Sequence, residues 1–275
     1  MRKDWSKQVL SAILITVTIG FCMGPLMWQL ITSIKPETDL VRLPPILPTE
    51  PTVDHYAAVM GDQAMARSLF NSLIVAAGAT TLAIVLGGGC AFALARLPIA
   101  GKFLILGFVL SITMFPPIAV ISPLYLIVRT LGLRDTLTAL ILTHAAYALP
   151  LAIWILTSFL RQIPQALYQA ARIDGCSPAR AFLTVILPLA KPGIAVASLL
   201  VFIFSWNEFM FALTLTASDA SRTAPVALAL FPGLHEIPWG DIAAASLVVT
   251  APVAGLAIVF QRHIVAGLTA GSVKG

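Results

Sequence analysis

The chain has 275 residues, of which 59% are hydrophobic and 11% are charged, and its formal net charge is +5. Soluble domains carry about 25% charged residues, so this composition excludes a soluble fold of this length. The apolar residues form runs of about 20, the length that a bilayer-spanning helix needs, and strand-like alternation is scarce, which argues against an outer-membrane barrel.

Six apolar segments predict six transmembrane helices, so the fold class is an all-α polytopic membrane protein. The first segment follows Arg2, Lys3 and Lys7 and is too long for a signal peptide, so we predict an uncleaved first span. The predicted spans are 9–31, 69–95, 103–128, 137–160, 193–216 and 242–261.

Lysine and arginine are distributed unevenly over the predicted connections. With the N-terminus in the cytoplasm, 11 of the 17 basic residues fall on the inside, against two acidic residues. The outside segments then hold six basic and nine acidic residues. Cytoplasmic loops carry an excess of Lys and Arg, so both termini are predicted to be cytoplasmic. The basic charge is therefore a topology signal and does not indicate a nucleic-acid partner.

Proline interrupts several predicted spans, and Met114-Phe115-Pro116-Pro117 is predicted to be the sharpest break. Gly87, Gly88 and Gly89 in the second span predict the close approach of another helix. The three cysteines and four histidines are scattered singly, so no disulfide or metal site is predicted and the histidines are interpreted as isolated. The sequence has no phosphate-binding loop, so this chain is predicted to bind no nucleotide or other cofactor.

The segment of about 161–192 is too polar to span a membrane, yet it is strongly patterned. Pro164 suits the first turn of a helix, and Leu167, Ala170 and Ala171 are predicted to share the apolar face of that helix. Asp174-Gly175 predicts its end, with Gly175 in the left-handed conformation.

A second short helix is predicted directly after this turn. Ser177 suits its N-cap and Pro178 its first position, while Phe182, Val185 and Ile186 form an apolar face. The pattern alone leaves two interpretations open, a docking helix for a moving protein partner and an interfacial helix that lies on lipid.

The same segment resembles the EAA loop of ATP-binding-cassette importer permeases. The resemblance rests on Gln169-Ala170-Ala171-Arg172-Ile173-Asp174-Gly175, on Phe182 and on Ile186-Leu187-Pro188. In that family the loop forms a coupling helix that seats in a groove of the ATPase subunit. The resemblance implies that coupling to the ATPase depends on Gln169, Ala170, Ala171, Asp174, Gly175 and Pro188. Gln169 departs from the usual Glu, which keeps the hydrogen-bonding shape but removes the charge.

Further stretches are similar to the carbohydrate branch of these importers. They are Ser33-Ile34-Lys35-Pro36, Asn71-Ser72-Leu73, Pro123-Leu124-Tyr125, Leu131-Gly132-Leu133, Ser205-Trp206-Asn207-Glu208-Phe209 and the ending from Gly267 to Gly275. The resemblance implies a type I ABC importer permease fold in a single transmembrane domain over 1–275. It implies the smaller six-span subunit of an importer for a di- or oligosaccharide such as maltose or trehalose, in a bacterial plasma membrane.

The resemblance also implies the partners of the chain and its candidate substrate path. The partners are a second homologous permease, two ATPase subunits that bind ATP and Mg²⁺, an extracytoplasmic sugar-binding protein and the lipid bilayer. The candidate path residues are Asn71, Tyr125, Trp206, Asn207 and Glu208.

Glu208 leaves two roles open, because a carboxylate within a span usually faces a cavity or a partner. Beside it, Trp206 could stack on a sugar ring and Asn207 could bind hydroxyl groups, which favours the substrate path. Alternatively, Glu208 braces the interface with the second permease. The alternative function for the whole chain is a stand-alone ion-coupled secondary transporter, which needs intramembrane ionisable residues and often internal repeats. No nucleophile–base arrangement indicates an enzyme.

Overall fold

In a computed structural model the protein is described for residues 5–41, 46–231 and 237–269, of which 6, 41 and 262–269 are described as backbone alone. All regular elements in these ranges are helical. They are α1 Trp5–Ser33, α2 Glu37–Val41, α3 Asp54–Gly61, α4 Gln63–Arg96, α5 Lys102–Ile112, α6 Pro117–Thr130, α7 Leu137–Gln162, α8 Gln165–Ile173, α9 Pro178–Ala181, a π-helical turn Phe182–Ile186, α10 Leu187–Leu189, α11 Lys191–Trp206, α12 Met210–Leu215, α13 Ala224–Ala229 and α14 Trp239–Thr269. The family-like ending from Gly267 extends beyond the described residues.

Within the described ranges, four helices are long and apolar enough to cross a membrane alone, namely α1, α4, α7 and α14. Two bent pairs meet the same criterion together, α5 with α6 and Pro178–Leu189 with α11. By length and composition, the described residues therefore hold four to six candidate spans, and the predicted six is the upper end of this range.

The helix breaks fall partly where proline predicts them. The α5–α6 pair bends by 85° at the Met114–Pro117 step, against 81° for the other pair, so the predicted sharpest break is confirmed. Pro116 forms the N-cap of α6 and Pro117 opens it, positions at which a missing N–H costs nothing. The predicted continuous span 193–216 is wrong, because α11 ends at Trp206 and α12 begins at Met210. That prediction followed hydropathy, which does not detect a break of three residues.

The chain divides into two compact units, Met1–Ala66 with Leu228–Ala251, and Arg67–Ala227 with Pro252–Gly275. A single permease domain over 1–275 therefore stays a prediction. In the first unit the apolar side chains of α1, such as Phe21 and Trp28, are exposed, as a helix that faces lipid requires.

His55 in the first unit is not isolated, contrary to the prediction. Its Nδ1 lies 2.6 Å from a carboxylate oxygen of Asp241, and its Nε2 lies 2.9 Å from the carbonyl oxygen of Lys35. The imidazole thus joins three segments that are far apart in the sequence. Gly240 is required beneath this ring, because a Cβ there would collide with it.

The second unit is built around α7, which packs against α5, α11 and α12. At Gly193 the backbone of α11 passes so close to α7 that an added Cβ would come within 2.5 Å of the ring of Phe159. The glycines of α4 behave in part as predicted. A Cβ added at Gly87 would lie 3.2 Å from the Cβ of Ala152, which confirms the close approach of another helix there. A Cβ added at Gly89 would have no neighbour within 4 Å.

Candidate functional site

Arg96, the last residue of α4, anchors the patterned segment. Its guanidinium donates to the carbonyl oxygens of Leu160 and Ile163, both at 2.5 Å, and to the side-chain oxygen of Gln165 at 2.7 Å. The last carbonyls of a helix lack intrahelical donors, so Arg96 closes the end of α7 and holds the first residue of α8. Sequence reasoning missed this role and counted Arg96 only as a charge, although a lone arginine at the end of an apolar helix was the available signal.

The buried face of α8 is set by Tyr168. Tyr168 and Ala171 are buried, and the Tyr168 ring meets the ring of Phe92 edge-on with centroids 5.8 Å apart. Leu167 and Ala170, predicted to share the apolar face with Ala171, are exposed. The prediction of one shared face is wrong for Ala171, because the Tyr168 side sets the buried direction of α8 and Ala171 lies on it, whereas Leu167 and Ala170 are exposed as a docking helix requires.

The opposite face of α8 carries an exposed stripe. Ala166, Gln169, Ala170 and Ile173 are exposed and follow the i, i+3, i+4, i+7 spacing that places them on one side of a helix. Ile173 is 85% exposed, although it is a large apolar side chain. We call these four residues the docking stripe. Gln169 is its one polar member.

The turn after α8 is a Schellman motif. Gly175 has φ +83°. Its backbone N–H donates to the carbonyl oxygen of Arg172, and the N–H of Cys176 donates to the carbonyl oxygen of Ala171. The predicted left-handed conformation at Gly175 is confirmed, and the carbonyls at the end of α8 are thereby satisfied. Asp174, the C-cap residue that directly follows Ile173, is exposed.

The second short helix begins as predicted and then changes its geometry. The Ser177 hydroxyl accepts a hydrogen bond from the N–H of Arg180, and Pro178 occupies the first position of α9. The following turn is π-helical, with the N–H of Leu187 bonded to the carbonyl of Phe182. Pro188 has no N–H for a regular helical bond, so a widened turn before it is a physical consequence.

The break between α11 and α12 is organised by Glu208. Its carboxylate accepts hydrogen bonds from the backbone N–H groups of Phe211 at 2.8 Å and Ala212 at 3.1 Å, and so caps α12. One carboxylate oxygen lies 3.1 Å from Nε2 of His144, whose Nδ1 is 2.8 Å from the Ser205 hydroxyl. His144 is fully buried, so its interpretation as an isolated residue is wrong.

The other predicted path residues differ in their access to a ligand. Trp206 is 3% exposed and stacks on Phe202, with ring centroids 5.7 Å apart. The buried amide of Asn71 donates to the carbonyls of Ala220 and Arg222. Both side chains are thus occupied within this chain.

Tyr125 and Asn207 are more accessible. Tyr125 is half-buried, and its ring lies 5.8 Å from the guanidinium of Arg134. Asn207 is exposed, and its amide donates to the carbonyl of Ile203. Of the five predicted residues, the structure brings Trp206, Asn207 and Glu208 together at the helix break.

Asp135 ties the α6–α7 connection to the loop after α12. Its carboxylate accepts hydrogen bonds from the backbone N–H groups of Ala217 and Ser218 and from the hydroxyls of Ser218 and Ser221. Burial alone would raise the pKa of Asp135, but these hydrogen bonds outweigh it and hold the pKa well below its usual range. Asp135 also adopts φ +61°, which Asp tolerates better than most residues.

The arrangement of these residues indicates a class of protein. Among the described residues, no three His, Cys, Asp or Glu side chains are grouped to hold a metal ion, and the three cysteines are free. Bent and broken apolar helices, a capped helix break and an exposed docking stripe are features of a transport subunit that is moved by a partner.

Comparison with known proteins identifies the family. Residues 79–269 match the binding-protein-dependent transport system inner membrane component, and the chain belongs to this family. It is therefore a permease subunit of an ABC importer in the inner membrane, and ATP hydrolysis belongs to a partner subunit. This assignment decides against the alternative of a stand-alone ion-coupled transporter.

Two relatives support the assignment over the full length, and one solved structure supports the fold. A trehalose transport system permease protein of Mycobacterium tuberculosis is 45% identical over 266 residues, 96% of this chain and 97% of the relative. A trehalose/maltose transport system permease protein of Thermococcus litoralis is 38% identical over 278 residues, 100% of each chain. A chain of a bacterial ABC transporter that imports alginate shares the fold with a TM-score of 0.81 at 21% identity, over 95% of this chain and 98% of that one.

Proposed function

We propose that this permease carries a sugar, a di- or oligosaccharide such as trehalose or maltose, across the plasma membrane. The similarity to two permeases named for trehalose or maltose supports this substrate class. We further propose that it works with a second homologous permease, two ATPase subunits that bind ATP and Mg²⁺, and an extracytoplasmic sugar-binding protein. The termini and the segment 161–192 face the cytoplasm in this assembly.

The docking stripe is the observation that supports coupling. An exposed, mostly apolar helix face fits a groove in a protein partner, and the Schellman turn fixes where that face ends. Ala170, Gln169 and Ile173 then contact the ATPase directly. Ala171, Gly175 and Pro188 hold the contact from behind, through core packing, the left-handed turn and the π-helical turn.

Movement of α8 has a defined route into the spans. Arg96 bonds α8 through Gln165 and α7 through Leu160, so these elements and the end of α4 are joined by one side chain. On the other side, the π-helical turn leads into α11, which ends at the break that carries Glu208. A push from the ATPase therefore reaches the break through α11.

The sugar path is proposed to run past the break at residues 207–209. Asn207 and Tyr125 offer accessible polar and aromatic groups, a mixture that suits the polar edge and apolar face of a sugar. Trp206, Asn71 and Glu208 support this region from within. The bonds that Glu208 makes inside this chain account for a carboxylate at the break without a contact to the second permease.

The test is reconstitution with and without the partners. Proteoliposomes that hold this chain alone should take up no trehalose or maltose, whereas the complete importer with its binding protein and ATP should. Uptake by the isolated chain at the rate of the complete importer would contradict the proposal. A thermal-shift screen of the cognate binding protein against sugars identifies the substrate, and binding of a non-sugar alone would overturn the substrate class.

A charge placed on the docking stripe tests coupling separately. Ile173→Glu should detach the ATPase from the complex, because it puts a carboxylate into an apolar contact. Ala179→Glu is the control, since Ala179 is exposed in the same segment but lies outside the stripe. An Ile173→Glu complex with full sugar-stimulated ATPase activity would contradict the proposed docking face.

A further inference from the structure

A groove in the second unit lies among α4, α7 and the segment that leads into α11. Its volume is about 480 Å³, within the usual range for small-molecule sites. Its lining is mostly apolar and includes Ile84, Gly88, Leu156 and Phe182. Lys191 is the one charged residue of the lining. Neither the family assignment nor the proposed transport function accounts for this groove.

On α4 the groove lies well inside the helix end. Gly88 and Ile84 precede Arg96, the end of α4, by 8 and 12 residues, which places them about 12 and 18 Å along the helix axis. Half of the hydrocarbon core of a bilayer is about 15 Å thick. The distance from the end of α4 to these lining residues is thus comparable to the length of an acyl chain in one leaflet.

Lys191 gives the groove a polarity that matches a phospholipid. It is exposed at the first position of α11, and within the described ranges it makes no ion pair or side-chain hydrogen bond. A lysine stem lies readily along apolar surface while its ammonium stays with water and phosphate. On the proposed topology this ammonium faces the cytoplasmic leaflet, where anionic lipids are concentrated.

We propose that the groove binds one anionic phospholipid, with an acyl chain against Ile84, Gly88 and Phe182 and the phosphate at Lys191. A helix of the second permease would fill an apolar groove equally well, but it would not explain an unpaired cation at the rim. The acyl chain would contact the π-helical turn and Pro188, so the lipid supports the coupling segment from the membrane side.

Native mass spectrometry of the complete importer tests this site without any transport measurement. The complex is given dioleoyl phosphatidylglycerol or dioleoyl phosphatidylcholine at equal concentrations, and retained lipid is counted. Wild type should retain the anionic lipid about fivefold better, as one lysine near a lipid phosphate provides. Lys191→Gln should abolish this preference, and the control Lys102→Gln, a cation at the start of α5, should keep it.

The apolar part of the site is tested at Gly88. Gly88→Leu should block the groove and lower retention of both lipids, whereas Gly89→Leu, on an open helix face with nothing within 4 Å, should not. Gly88→Ala, whose Cβ would meet only Phe182 at 4.0 Å, keeps the fold and should retain an intermediate amount. The proposal is overturned if Lys191→Gln keeps the preference, if Gly88→Leu binds lipid as wild type does, or if Gly88→Leu expels the second permease from the complex.

Discussion

Gly175 offers the sharpest test of how the coupling segment works. Its φ of +83° is unfavourable for residues with a Cβ, yet a Cβ built there would meet nothing within 4 Å in this chain. A substitution therefore costs backbone energy alone, about 1–2 kcal/mol for Ala, more for a β-branched residue and less for Asn. Because 1.4 kcal/mol is a factor of ten, Gly175→Ala should reduce the equilibrium constant for forming the intact Schellman turn about 5- to 30-fold.

The assay is sugar-stimulated ATPase activity of the assembled importer in nanodiscs, with assembly followed by gel filtration. Activity should fall in the order Gly175→Asn, Gly175→Ala, Gly175→Val, while the spans stay inserted. Gly101→Val is the matched control, because Gly101 also has positive φ, +70°, and open space around it, but lies outside the coupling segment. Full coupling in Gly175→Val, or equal uncoupling in Gly101→Val, would refute the reasoning. Uncoupling by Asn as severe as by Val would show that a side chain, and not the turn, disturbs the ATPase.

Three further predictions follow from the hydrogen bonds and ion pairs. Glu208→Gln and His144→Asn should each lower the unfolding free energy of the complex, and the double variant should cost less than their sum by about 0.5–3 kcal/mol, because contacting residues are coupled. Gln169→Leu should weaken sugar-stimulated ATPase activity about tenfold by leaving a buried polar partner unpaired, while Gln169→Glu should stay near wild type. Asp135→Asn should lower thermal stability at pH 7, and its difference from wild type should shrink as the pH falls below about 4, since the folded pKa lies below the unfolded one and that stability is lost on acidification.

Each of these has an outcome that contradicts it. Strict additivity in the Glu208 and His144 cycle would mean that the two side chains do not interact. A Gln169→Leu complex equal to wild type would leave coupling to Ala170, Ala171 and Gly175 alone. A constant stability difference between Asp135→Asn and wild type from pH 7 to pH 3 would show that the negative charge of Asp135 is not what its hydrogen bonds stabilise.

The sequence was sufficient to predict those features that depend on one or two neighbouring residues. The Asp174-Gly175 stop, the Ser177 cap and the Pro116-Pro117 break all depend on one or two residues whose backbone preferences are strong, and all three predictions are confirmed. Length and hydropathy were likewise enough to place the long helices.

The predictions failed where distant residues decide the structure. Glu208 appears in the sequence as an acid in an apolar run, and no spacing shows that His144, 64 positions earlier, lies 3.1 Å from it. In the same way, Tyr168 sets the buried side of α8 through Phe92 on α4, so hydrophobicity alone grouped the buried Ala171 with the exposed Leu167 and Ala170. The exposed docking stripe was recognisable only after that side was known.

The close crossing at Gly193 gives α11 a fulcrum. The Phe159 ring lies directly against the backbone of α11 at Gly193, so this contact is the point about which the helix can tilt. From Gly193 to Asn207 the helix spans 14 residues, or about 21 Å, so a tilt of roughly 10° would swing the Glu208 end by about 4 Å. That displacement is comparable to the width of a side chain, so α11 can act as a lever that converts a small motion beside the coupling segment into opening of the break.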